Sequence, residues 1–163
     1  MSTIPPFYRI FFSTVDPLIA LSGALTQLFA PSTILRLYNA SSATIPPAPE
    51  TTVLLDSSAG YLLSTLFLQV VMLRVRPADV PVWRCLQGAI LVQDVAIIGA
   101  VARSLDVQNR LEWSRVTGQE WANLAILAGV GALRVAFLLG VGMRMDELNE
   151  DKKGKGKGKG KST

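Results

Sequence analysis

No histidine occurs anywhere in the 163 residues, one cysteine does, and no lysine stands before position 152. The first absence removes the usual zinc and iron ligand sets and the histidine general base, so neither a metal nor another cofactor is expected. A single thiol, Cys85, excludes an internal disulfide and any multi-cysteine metal cluster. Charge is scarce too, at 17% of residues against 50% hydrophobic ones. With a mean hydropathy of +0.37, the chain is too apolar for an ordinary small soluble domain. The net charge of +4 points to nucleic acid only until its origin is traced. All six lysines fall in the terminal DKKGKGKGKGKST, and up to Glu150 ten arginines face eleven acids. The body therefore has no basic footprint for a phosphate backbone, and no nucleic-acid partner is expected.

What the chain does have is long apolar runs. Four of them, at about 10–30, 53–73, 86–102 and 122–143, are each about the 17 to 25 residues that cross a hydrocarbon core of roughly 30 Å. The first, IFFSTVDPLIALSGALTQLFA, is too long and too polar inside for a cleaved signal peptide and reads as a retained span. Pro77 and Pro81 break any continuation of the second, and Trp83, Trp113 and Trp121 stand where the third and fourth begin, as headgroup-level aromatics do. The expected fold is all-α, a four-helix transmembrane bundle over 1–148 with a disordered Lys/Gly-rich tail over 149–163. The lipid bilayer is its first partner.

Four spans put both ends on one side. Arg9, Arg74, Arg76, Arg84, Arg144 and the six tail lysines supply eleven cations to that side, and Arg36, Arg103, Arg110 and Arg115 supply four to the other. The positive-inside bias then predicts cytosolic termini. Asn39-Ala40-Ser41 is a glycosylation sequon in the loop that this orientation turns to the lumen. The ending Lys159-Gly160-Lys161-Ser162-Thr163 has the spacing of a dilysine retrieval signal, which predicts residence in the endoplasmic reticulum; a solvated tail drawn to anionic lipid is the alternative.

Within the fourth run, GVGALRVAFLLGVG carries Arg134. A guanidinium near mid-membrane is costly and is normally turned inward, paired or hydrated. Asp94, in LVQDVAIIG, matches its depth within about a turn, and Asp16 lies within reach of a long side chain. Asp56, near the far end of its run, fits less well. Gln93, Gln69, Gln27 and Ser22 extend an expected intramembrane polar cluster. Two accounts stay open: Arg134 and Asp94 form a structural ion pair that fixes helix pairing, or an acid and a cation inside a bundle mark a substrate or proton site. The spacing of Ala128, Ala132, Ala136 and Gly140 predicts a helix-packing face, as do Gly23, Gly60, Gly88 and Gly99. Asp16-Pro17 removes a backbone bond and predicts a kink.

IPPFYRIFF, DPLIALSGAL, VWRCLQGAILVQD and GQEWANLAILAGVGALRVAFLLGVG, in that order, resemble a family of small fungal four-span membrane proteins catalogued as a domain of unknown function, number 7704. The resemblance covers nearly all but the lysine tail. It implies that Asp16, Asp94, Trp121 and Arg134 fall on recurrent positions. It also implies that a histidine often follows the acid of the third span by three residues, where this chain has Ile97. The family supplies an architecture and no reaction.

The remaining motifs carry little chemistry. GVGALR lies inside a span with no preceding strand, so it is no phosphate loop. Ser57, Ser58 and Ser64 have no histidine to activate them, and Tyr8 and Tyr61 read as interface anchors. Three functions fit: a non-catalytic membrane scaffold or modulator; a small membrane isomerase or cyclase for a sterol-like, terpenoid or polyketide substrate, with Asp94, Arg134 and Asp16 as catalytic candidates; or a proton or small-solute carrier working as an oligomer. A lipophilic small molecule, a second copy and another membrane protein are the corresponding partners.

Overall fold

A computed structural model describes residues 4–38, 46–110 and 116–143; Asn39, Trp113, Arg144 and the tail lie outside the described residues. Among the described residues the chain is helical without strands. A short helix α1 (Pro6–Ile10), a π-helical turn (Phe11–Val15) and α2 (Asp16–Phe29) run on as one rod. After it come α3 (Pro31–Tyr38), α4 (Pro49–Val75), α5 (Val80–Val107) and α6 (Gly118–Leu138). Four helices are long and apolar enough to cross a membrane: Pro6–Phe29, Pro49–Val75, Val80–Val107 and Gly118–Leu138. They overrun the apolar runs because their ends are separately stabilised. Prolines open α1, α3 and α4 at positions where no helical N–H is lost. The Asp79 carboxylate accepts from Val82 N at 3.2 Å to start α5, and Thr117 with Glu120 forms a capping box at the start of α6.

The end of α6 differs from the apolar pattern, which continues to residue 143. The helix stops at Leu138 because Gly140 adopts a left-handed φ of 78°. Val141 N donates to Ala136 O at 2.9 Å and Gly140 N to Phe137 O at 3.0 Å, the two bonds that close a helix with a left-handed cap. Gly140 is therefore a helix stop.

At one end of the bundle the first and last described segments meet. Ile4, Tyr8, Phe12, Leu73, Trp83 and Phe137 form a closed, largely aromatic core. The Tyr8 hydroxyl donates to Val141 O at 3.1 Å, and Trp83 Nε1 donates to Arg76 O at 3.0 Å. Tyr8 and Trp83 are thus core residues rather than interface anchors, Trp83 fully buried. Both rings find an apolar body contact and a backbone acceptor inside the fold, which the sequence position alone does not reveal. At the other end, Arg110 holds Glu120 through Nη1–Oε1 at 3.0 Å and Nη2–Oε2 at 2.8 Å, and Gln108 Nε2 donates to Tyr38 O at 2.9 Å.

Two helix pairs provide the tight seams, α2 on α4 and α5 on α6. Phe29, Leu54, Phe67, Val92 and Val135 are among the many apolar side chains left facing outward. An exterior of that kind suits contact with lipid rather than water. Ala128 and Ala132 are on it too. The small-residue face expected at Ala128, Ala132 and Ala136 does not form the seam; Gly131, Arg134 and Phe137, on the buried side of α6, do. Gly60, Gly88 and Gly99 have open space where a Cβ would stand, so close helix approach does not explain them.

Candidate functional site

The π turn is where the site begins. Asp16 N donates to Phe11 O, five residues back. In that register the acceptor Phe12 O faces position 17, which is proline and has no N–H. A buried carbonyl left unpaired is unfavourable by about 1–3 kcal/mol. Gln69, from α4, fills the gap: its Nε2 donates to Phe12 O at 2.7 Å and to Asp16 Oδ2 at 2.6 Å. One amide therefore satisfies the backbone defect and aims the carboxylate into the bundle.

Arg134 comes to the same point from α6. Its Nη2 donates to Asp16 Oδ1 and Oδ2, both at 2.7 Å, its Nη1 to Asp94 Oδ2, and its Nε to Gln87 Oε1 at 3.2 Å. The five residues are buried and come from α2, α4, α5 and α6. Charged hydrogen bonds of this kind are the strong ones, and here each ties one helix to another. Gln87 Nε2 is fully buried and has no partner among the described residues.

The structure thus brings together Asp16, Asp94 and Arg134, with Gln69. Gln93 lines the adjoining cavity without joining the hydrogen-bonded cluster. Asp56 is exposed, and Ser22 is exposed and bonded to Ile19 O at 2.7 Å. Gln87 was missed by reasoning from depth alone. The signal that finds it is its place two turns before Asp94, seven residues away and hence on the same helix face.

Above the cluster lies a cavity of 190 Å³ between the two seams, with Asp16, Asp94, Arg134 and Gln69 at one end and Gln27, Tyr38 and Asn123 at the other. Its walls are apolar, including Ile19, Leu66, Ile97, Ile126 and Val130. Helix α3 lies across the far end and contributes Ile34, Leu37 and Tyr38. Burial pushes the Tyr38 phenol up from its ordinary 10.0, so it remains a hydrogen-bond donor at neutral pH. Gln27 Oε1 is buried there without a partner among the described residues. Ile97 stands on the cavity wall, at the position where the resemblance implies a histidine.

The family model described as Domain of unknown function (DUF7704) matches residues 1–144. Neither the curated proteins nor the solved structures contain a match to the chain.

Proposed function

The chain belongs to the DUF7704 family, and on that premise we propose that it is a non-catalytic multi-pass membrane protein that binds a lipophilic small molecule inside its bundle and acts as a modulator. One observation carries this: a mostly apolar cavity ends on three charged side chains that already hold one another. Apolar walls with a few convergent polar groups are the usual anatomy of a small-molecule site. The mutual bonding of the cluster favours holding over reacting, because Arg134 and both Asp16 oxygens are engaged. Full-length protein in lipid nanodiscs, analysed by native mass spectrometry, should carry a co-purified lipophile. Val130→Trp, which fills the cavity, should release it, and Ala132→Trp, on the outer face of the same helix, should not. Equal retention in the two variants would remove the cavity from the proposal.

A second reading, an isomerase or cyclase, has in its favour that Asp94 lines the cavity. The same preparation separates the two, since a bound lipophile recovered with a changed structure after incubation marks chemistry and an unchanged one marks binding. We also propose residence in the endoplasmic reticulum with both ends of the bundle cytosolic, the sidedness supported by the eleven cations on one side.

A further inference from the structure

We infer that the cavity is built for a single unbranched chain bearing a protonated amine, with the ammonium seated on Asp94. The inference rests on the binding proposed above and adds the chemistry of the ligand. Its first support is charge. Among the described residues that line the cavity, Asp16 and Asp94 bring two acids and Arg134 the one cation. The carboxamides of Gln69 and Gln87 are neutral. A lone negative charge surrounded by apolar helices is costly; a proton shared between the two carboxyls would remove it, and so would a bound ammonium, which brings that proton with it.

The second support is which group is left unengaged. Asp16 accepts on both oxygens, whereas Asp94 accepts on Oδ2 alone and no described residue donates to its Oδ1. The side chain of Asp94 is also the most accessible of the three, at 10% against 5% for Asp16 and 4% for Arg134. A carboxylate or phosphate head would meet a guanidinium that is already bound on both sides and a carboxylate that repels it. An alcohol would donate to Asp94 but leave the charge unbalanced. An ammonium does both.

The third support is shape. The cavity follows α2 from Asp16 to Gln27 and α6 from Asn123 to Arg134, roughly 16 Å of each helix at 1.5 Å per residue. Its 190 Å³ exceeds the roughly 150 Å³ engineered cavity that takes one benzene, and because the cavity is partly open a longer chain can seat its head and first carbons inside and leave its tail in lipid. A volume of that size drawn out over that length suits one linear chain better than a fused-ring body.

The test uses wild-type full-length protein in phosphatidylcholine nanodiscs, with dodecylamine, dodecanol, dodecanoate and cholesterol as probes and competition followed by native mass spectrometry. Dodecylamine should bind more tightly than dodecanol by on the order of tenfold or more, with dodecanoate and cholesterol weaker still. Asp94→Asn should abolish the preference for the amine and leave the alcohol as it was. Ile97→Trp, which blocks the chain's path without touching the ions, should remove both. Equal binding of amine and alcohol would overturn the charge argument while the cavity stands as a lipophile site. Preference for cholesterol would overturn the shape argument in the same way. If no probe binds and no lipophile co-purifies, the binding reading itself fails. The probe comparison is made on the wild-type chain, so it does not depend on whether a variant folds.

Discussion

Arg134 answers two carboxylates, and this makes the charged residues unequal under substitution. Asp94→Ala leaves Arg134 with Asp16, whereas Arg134→Ala leaves two buried acids with no cation. Removing one partner of a buried pair is unfavourable by about 3–5 kcal/mol. Arg134→Ala should therefore reduce folded yield in detergent more than Asp94→Ala, and the double variant should recover part of the loss. Adding Asp16→Asn to the double should recover more. Size-exclusion chromatography of the series checks this, and additive losses would mean that the groups act independently. Sequence was enough to bring Arg134, Asp94 and Asp16 under suspicion, because a charge inside an apolar run has to be answered within reach. It did not reveal that both acids bind at once, or that Gln87 takes the remaining nitrogen. Those outcomes depend on helix rotation, which run length and depth leave undetermined.

At the scale of the element, the π turn and the stop of α6 are the two places where local backbone chemistry sets the site. If Gln69 is there to satisfy Phe12 O, then Gln69→Leu should destabilise by about 1–3 kcal/mol. Pro17→Ala should relieve part of that loss, since the restored N–H supplies a backbone donor. Thermal unfolding of the single and double variants in detergent reads the effect, and no relief from Pro17→Ala would refute the link. For α6, Gly140→Ala forces a side chain into a left-handed conformation, at about 1–2 kcal/mol. The added Cβ would also meet Arg84 Nη2 at 3.4 Å. A fall in melting temperature is expected, with the cavity unaffected. The Asp-Pro pair was readable as a local backbone defect. Its cure by a side chain on α4, 53 residues from Asp16, was not, because no local pattern encodes a long-range donor. The alanine spacing on α6 misled for a related reason: small residues at intervals of four mark a face, and only the packed bundle decides which face is turned inward.

For the whole molecule, the ends of the described chain meet at the aromatic core, which requires an even number of passes once the four helices lie in a bilayer. The proposed sidedness is tested by protease on sealed microsomes. A tag after Thr163 should be removed and one inserted near Ala48 spared; the opposite result would reverse the orientation and leave the antiparallel bundle intact. The four helices were legible from run length and composition, and the cavity was not, because it arises from how the two seams are spaced rather than from any one segment. The cluster that floors this cavity has a further consequence, in time rather than in space. Asp16 and Arg134 are 118 residues apart, and ribosomes add about 5–20 residues per second. Asp16 thus leaves the ribosome on the order of 6 to 24 s before its counter-charge is made. Through that interval the first rod lacks its cation, with Gln69, made 53 residues after Asp16, as the earlier partner of that carboxyl. Arg134 on α6 thus completes contacts begun on the first rod, so a stalled chain that ends before Arg134 should show that rod more open to protease than a chain that ends after it.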